Sequence, residues 1–517
     1  MVPTHPFTRR GFLRGSVATA GLLTAPRAFA IEGDTLVLRT DGDIVGLDPG
    51  FLIGTVDEEI CRCLFPSLNR LEAAGSPVPW TLYAATALTA VDPLTIAFTL
   101  RDDLRWTGGH GPVTAEDVKY SFERLIDPAL EAPNAYAFEA LDRVEVTGAL
   151  SGLIHLKRPF VPLIGATLSS WAGHILSARA MTAAGGKFTT EPPATCGPYR
   201  LDHWSPRRSI TLVADPDWPG PGPAFAKIRY EIIEDTDAGA LAFEAGAVDC
   251  ARIGLIAYES YRKRLPEGAR LMTGPGSRFS FLAINLAHPK LADPRLRRAI
   301  QRAVDPAEIN LGAYAGLRSV ATGVLNATMP GHRDAVLYPP DRAAAKALMV
   351  EAGITPLTLH LDILNDPEAA LVAQILASQL AAVGITLDVA IHDEAIFWSL
   401  GVKADGEDWR GLELVLIEFT GGIDPTENLL SFRPEQIGLY NWGQFDSPDY
   451  EKLYQESLID PDPDRRAALF RRMQDLMEDS GGFVFLTFDS FAAIHRADVA
   501  PFVTPENYYD PGRFGRL

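Results

Sequence analysis

The sequence predicts an α/β protein of two or three domains. Three observations carry this. A strand, helix, strand repeat runs from Leu357 to Ile391, an alternating strand stands beside a fully signalled helix start between Thr95 and Ile126, and the length of 517 residues exceeds the roughly 250 to 300 at which a single hydrophobic core stops growing.

Within the repeat, Leu357-Thr-Leu-His-Leu-Asp-Ile-Leu364 alternates apolar with polar positions, as a half-buried strand does. Asp366-Pro367 supplies a cap and an opening proline. Leu371, Ile375, Leu376, Leu380 and Val383 then make the apolar stripe of a helix closed by Gly384. Ile385 to Ile391 is the next strand, so the two strands are expected to be parallel with a right-handed connection, and Leu412 to Ile417 extends the same sheet. Asp293-Pro294 and Asp341 cap helices ending near Val304 and at Gly353.

The second observation is local. Thr95-Ile-Ala-Phe-Thr-Leu100 alternates, and Trp106-Thr-Gly-Gly-His-Gly-Pro112 turns the chain. Thr114 caps a helix, Asp117 completes a reciprocal box, and Val113 staples against Val118. Val118, Phe122, Leu125 and Ile126 share one face, and Asp127-Pro128 ends the run. The cap is worth about 1 kcal/mol; these residues set a fold and carry no chemistry.

Leu100-Arg-Asp-Asp-Leu-Arg-Trp106 leading into Pro112-Val-Thr-Ala-Glu-Asp-Val-Lys-Tyr-Ser-Phe-Glu-Arg124 resembles the signature of the extracytoplasmic solute-binding proteins of family 5, receptors of peptide, opine and nickel ABC importers. Thr107-Gly-Gly-His110 departs from the family's His-Asp-Gly, whereas Thr114-Ala-Glu-Asp-Val118 is intact. Leu47-Asp48-Pro49 with a helix up to Leu68, Thr195-Cys-Gly-Pro-Tyr199, Ile210 to Trp218, Ala240 to Asp249, and Phe281-Leu-Ala-Ile-Asn285 through Ile300 keep the family's order. The likeness spans nearly all of residues 33 to 515.

This resemblance implies a two-lobed periplasmic binding protein fold of type II with an extra inserted domain, built of mixed sheets flanked by helices. Lobe I is expected from residues 31–53, 189–275 and 481–517, the inserted domain from 54–188, and lobe II from 276–480. Ligands of such proteins sit in the cleft between lobes, and closure excludes water. The implied partners are ABC permease membrane subunits with cytoplasmic ATPases, and the receptor is expected to be a monomer without a cofactor.

Residues 1–30 contain Arg9-Arg10, a modest apolar run from Val17 to Ala25, and Ala28-Phe-Ala30. They resemble a twin-arginine export signal cleaved after Ala30, which places the mature chain in the periplasm. The apolar run falls short of the roughly 20 residues a membrane span takes, and no cysteine follows the cleavage site to carry a lipid. Losing four arginines takes the net charge from −19 to −23, a balance that disfavours nucleic acid and anionic membranes.

Four cysteines are present. Cys61 and Cys63, two apart in an expected helix, diverge and cannot pair with each other. Cys196 and Cys250 fall in one expected domain, so a bridge between them is the disulfide to test. No Cys-x-x-Cys pair suggests a metal site.

Open sheets bind ligands beyond the carboxyl ends of their strands, which singles out Glu418-Phe-Thr-Gly-Gly-Ile-Asp-Pro425. In peptide-binding members of the family a similar loop carries an Asp that pairs with the ligand's α-amino group; Gly422 stands at about that place here. Asp424 belongs to the structural Asp-Pro, so Glu418 is nominated for a cationic nitrogen, with Thr420 beside it. Trp398, Phe419, Tyr440 and Trp442 are nominated to supply flat apolar or cation–π surface, together with Asn441. Arg278 is nominated to fork onto a ligand carboxylate, with Arg333 as runner-up.

Catalysis lacks convergent groups. No Gly-x-Ser-x-Gly elbow, His-Glu-x-x-His pair, phosphate loop or dinucleotide fingerprint occurs, and the histidines are scattered. The expected function is therefore capture of a small peptide or peptide-like, amine-bearing organic solute, with no enzymatic step. The alternatives are a nickel or metal-chelate receptor and, from another class, a periplasmic peptide hydrolase.

Overall fold

The strands that set the topology are β1 (Thr35–Thr40), β2 (Ala85–Asp92), β3 (Thr95–Leu100), β4 (Leu141–Gly148), β5 (Ser151–Leu156), β6 (Tyr199–Ser205), β7 (Ser209–Ala214), β8 (Lys227–Ile232), β9 (Cys250–Arg252), β10 (Ala269–Ile284), β11 (Ser319–Val320), β12 (Leu357–Leu364), β13 (Ile385–His392), β14 (Leu414–Thr420) and β15 (Phe483–Arg496). The structure, a computed structural model, describes residues 34–517 apart from 74, 75, 77, 355 and 407. The expected export signal, residues 1–30, lies outside the described residues.

Eleven strands form one sheet in the order β6-β7-β8-β1-β9-β15-β10-β14-β12-β13, with β11 added on β15. The two long strands β10 and β15 pair antiparallel in its middle, and their register slips between Pro275 and Phe279. They carry the hydrogen-bonded connection between the β6–β9 half and the β12–β14 half. A separate four-stranded sheet runs β2-β3-β5-β4.

Beyond β1, helix α1 (Thr55–Leu64) stops four residues before the expected Leu68. Phe65 is extended ahead of Pro66, and a residue before proline is pushed out of the helical region. Val56, Ile60 and Leu64 of this helix pack into the core built on Leu36 and Leu38, although the sequence groups them with residues 54–188. Helix α2 (Ala115–Leu125) begins as expected: Asp117 Oδ2 accepts from Thr114 N at 2.8 Å, and Val113 and Val118 share a core. Asp117 also accepts from Trp106 Nε1 at 3.2 Å and from Ala178 N at 2.8 Å, so one buried carboxylate fastens the turn, the helix and a distant segment. Arg124 at the other end forks onto buried Asp48 at 2.8 and 2.5 Å.

The strand, helix, strand repeat has its expected form. β12 and β13 pair in parallel from Leu357 opposite Ile385 to Leu364 opposite His392, and β14 lies parallel on the other side of β12. Helix α3 (Pro367–Ala381) is capped by Asp366, which accepts from Ala369 N at 2.9 Å. Its stripe is rotated from the expected one, for Leu371 is exposed while Val372, Ala373, Leu376 and Leu380 are buried. Residues 369–373 are all apolar, so the pattern alone leaves the phase open and packing fixes it.

All four cysteines are free and buried. The bridge expected between Cys196 and Cys250 is thereby corrected: Cys196 lies in the core of the four-stranded sheet and Cys250 in the core of β1, where its Sγ meets Tyr509 Oη at 3.4 Å.

Candidate functional site

Successive side chains of a strand point to opposite faces, and that rule divides the nominated residues on β14. Phe419 faces Phe279, Phe281 and Phe432 within one aromatic core. Glu418 therefore points to the other face, where Leu414 and Leu416 pack with α3. Its carboxylate is taken up by two guanidiniums, Arg278 at 2.8 Å and the buried Arg318. Arg278 binds Asp489 as well, at 3.1 Å, and Arg318 reaches Glu368 at 3.1 Å while lying over the Tyr314 ring at 3.9 Å. This ionic cluster borders a cavity of about 240 Å³. Glu418 is thus no unpaired carboxylate and Arg278 no unpaired cation. Arg318, a hundred residues from Glu418, gives no local sign of its part.

Three further nominations are structural. Asn441 is 1 % exposed, and its amide donates to the carbonyls of Phe432, Arg433 and Phe445 while its oxygen accepts from Phe445 N. Trp442 is buried against Phe397 and donates to Leu439 O at 2.7 Å. Arg333 is buried between Glu478 at 2.7 Å and Asp475 at 3.0 Å. Each satisfies backbone or charge inside the fold, which leaves nothing to offer a solute. Trp398 is half-buried and stacks on Phe419, Tyr440 is 47 % exposed and meets Phe419 edge-on, and Thr420 is exposed at the end of β14.

Beyond β14 the chain enters a cavity of about 620 Å³ that brings together residues 136–171, residues 423–458 and Glu506. All three sequence segments expected as domains contribute to it. Asp424 caps helix α4 (Pro425–Leu430), accepting from Thr426 N at 3.0 Å, and both its oxygens are held by Arg466 at 3.0 Å. Glu427, in the first turn of α4, is one of four carboxylates that line the cavity, with Glu139, Glu435 and Glu506. A methyl group built on Gly422 would overlap its Oε2, so the Glu427 carboxylate fills the room that the absent side chain leaves.

Glu427 is exposed along the cavity, yet protein crowds around its carboxyl. Burial, with Asp424 and Glu506 adding, lifts its pKa to about 8, while the backbone of Asp424 and Ile423 favours the ionised form. Burial likewise lifts Glu506 to about 7 against the opposing pull of Arg62, which pairs with it at 2.8 Å. Arg62 lines a second cavity, of about 380 Å³, with Arg70, Tyr83 and Trp218. Tyr136 and Trp171 meet edge-on at 6.0 Å in the wall of the larger cavity. Glu427 is not among the residues nominated from the sequence; its signal there is an acid in the first turn of a helix opened by Asp424-Pro425, one residue after Gly421-Gly422.

Fold and cavity together define a two-lobed α/β binding protein. Residues 80–433 match the family described as bacterial extracellular solute-binding proteins, family 5 (middle), and the chain belongs to that family. It is 26 % identical over 498 residues to the probable D,D-dipeptide-binding periplasmic protein DdpA of Escherichia coli K12, with 92 % of each chain covered. It is 23 % identical to the glutathione-binding protein GsiB of Escherichia coli O1:K1, with 96 % of each covered. Among solved structures, HbpA2 of Haemophilus parasuis superposes with a TM-score of 0.83 at 19 % identity, covering 93 % of this chain and all of that one. No helix among the described residues is long and apolar enough to cross a membrane, and none of their His, Cys, Asp and Glu side chains gather as a group of three or more metal ligands.

Proposed function

We propose that the chain is the solute receptor of an ABC importer, that it works in the periplasm after twin-arginine export, and that it captures a small peptide or peptide-like, amine-bearing organic solute. The observation that carries this reading is Glu427: a carboxylate without a cationic side-chain partner among the described residues, opening into a cavity with aromatic walls. There a protonated amine gains a charge-assisted hydrogen bond. That two relatives are named for binding a D,D-dipeptide and glutathione supports a solute of this class.

The mechanism is binding with lobe closure, and no bond is made or broken. Residues 34–53, 189–275 and 481–517 form one jaw, joined by helix α1, 276–480 form the other, and the rest of 54–188 adds a wall to the cavity. The register of β10 on β15 slips between Pro275 and Phe279 and again between Ser280 and Phe281; such irregularities let a strand bend, which makes this stretch the hinge of the reading. A solute shifts the population toward the closed form only through its higher affinity for that form, and the closed surface is what the membrane subunits of the permease read.

The test is a native mass spectrum of protein purified from its own host, which identifies any retained solute, followed by titration of that solute into wild type and Glu427→Gln. A loss of affinity of roughly tenfold or more is expected, the worth of a hydrogen bond to a charged group. Unaltered affinity removes Glu427 from the site, and release of new amines from a peptide mixture makes the protein a hydrolase instead.

A further inference from the structure

The charged residues that line the 620 Å³ cavity are Glu139, Glu427, Glu435, Glu506, Arg158 and Arg433. Both arginines are occupied. Arg158 pairs with Glu139, while Arg433 pairs with Glu435 and forks onto Glu451 at 2.9 and 2.7 Å. Their guanidiniums also lie over aromatic rings, Arg158 over Phe160 at 5.7 Å and Arg433 over Tyr454 at 4.7 Å. Glu506 has Arg62 at 2.8 Å, but that guanidinium is shared with Glu58 at 2.7 Å. Glu427 has no cation within ion-pair distance among the described residues. The cavity thus offers a carboxylate in want of a cation and no cation in want of a carboxylate.

We infer that this cavity selects solutes of net positive charge, which bear a cationic nitrogen and no free carboxylate, such as a peptide with its carboxyl end blocked or an aminoalkyl compound with an apolar body. The inference rests on the reading of Glu427 as the amine's partner. A zwitterion would bring its carboxylate among Glu139, Glu427, Glu435 and Glu506, where the two guanidiniums present already face Glu139, Glu435 and Glu451. Like charges placed together in such a site repel, and that repulsion discriminates against the wrong solute. Tyr136 and Trp171 supply the complementary surface: no arginine or lysine of the described residues lies over either ring, so their faces are left for an apolar group or the cation itself. Asp424 and Glu506, which add to burial in raising the pKa of Glu427, belong to the same negative field.

The experiment offers the full-length protein three dipeptide pools of identical side chains: free acids, carboxyl-terminal amides, and amides that are also acetylated at the amino end. Retention is read by native mass spectrometry, and affinities by calorimetry on the best-retained member of each pool. Amides are expected to bind at least tenfold more tightly than the matching acids, and acetylated amides to be lost. In Glu427→Gln the difference between amide and acid shrinks severalfold. Acids that bind as tightly as amides, with acetylated forms still excluded, overturn the charge selection and leave the amine receptor standing. Acetylated amides that bind like free amines overturn both. Retention of no pool also overturns the selection proposed here.

Discussion

Glu427 and Gly422 share one space: the carboxylate of the first stands where the side chain of the second would be. A substitution at Gly422 therefore acts on Glu427 without touching it chemically. In Gly422→Ala the flexible end of Glu427 swings away, and the amine loses its partner. Affinity for the retained solute is expected to fall roughly tenfold, the scale of one charge-assisted hydrogen bond, and the melting temperature is expected to fall as well, because the new methyl would stand 2.8 Å from the Glu427 Cβ, which no swing of the carboxylate relieves. Calorimetric titration beside a thermal melt checks this. Undiminished binding would mean that the carboxylate does not hold the solute.

How much of this was legible in the sequence depends on distance along the chain. The capping box of Thr114 and Asp117, the Asp366-Pro367 start and the alternation of Leu357 to Leu364 are complete within a few residues, and each appears where expected. The site was less legible. Period-two alternation already separates Glu418 from Phe419, so they were never to meet one solute from the same face. Arg318, which takes up Glu418, arrives from a hundred residues away, and the role of Glu427 depends on an absent side chain at Gly422. Asn441 and Trp442 have the composition of a binding motif, and only burial shows that they hold up a loop.

The cysteines give a direct chemical check. Burial pushes the thiols of Cys196 and Cys250 up to about 12, so they remain protonated and slow to react in the folded state. Protein unfolded without reductant is expected to titrate four thiols, and native protein close to none. Two titratable thiols after unfolding would restore the bridge.

Export is expected to depend on the paired arginines. With Arg9 and Arg10 both replaced by lysine, full-length precursor accumulates in the cytoplasm of a host that has the twin-arginine route. Fractionation and immunoblotting read the outcome; wild-type levels of processed protein in the periplasm would exclude this address.

Asn441→Ala is expected to destabilise the fold without a specific effect on the solute. The variant leaves the buried carbonyls of Phe432 and Phe445 and the amide of Phe445 short of a partner, while the Arg433 carbonyl keeps its bond from Gln436 N. Each orphaned group costs about 1 to 3 kcal/mol, and local relaxation recovers part of that, so a net loss of about 3 kcal/mol is expected. Denaturant unfolding measures it. A binding defect at unaltered stability would return Asn441 to the solute.

Stability is expected to fall as pH rises from about 5 to 9. Burial lifts Asp57 to about 6, Glu59 to about 7 and Glu506 to about 7, all above the pKa near 4 that carboxyls have in an unfolded chain. Between the two values the native state holds protons that the unfolded state has released, so the stability these groups contribute is complete below pH 4 and is lost as pH rises through 6 to 7. Glu58 has the opposite sign. Its pairing with Arg62 and His174 outweighs its burial and lowers its pKa, so its contribution is present above pH 4.5 and vanishes in acid. A dome with its top near pH 5 follows. Glu59 is the group to change, being 4 % exposed and holding Tyr509 N at 2.9 Å through an oxygen that Gln preserves. Glu59→Gln is expected to flatten the fall in melting temperature between pH 5 and 8, because one proton no longer leaves on unfolding. A wild-type melting temperature that climbs over that range, or a variant with the wild-type slope, would show that Glu59 is already ionised in the native protein.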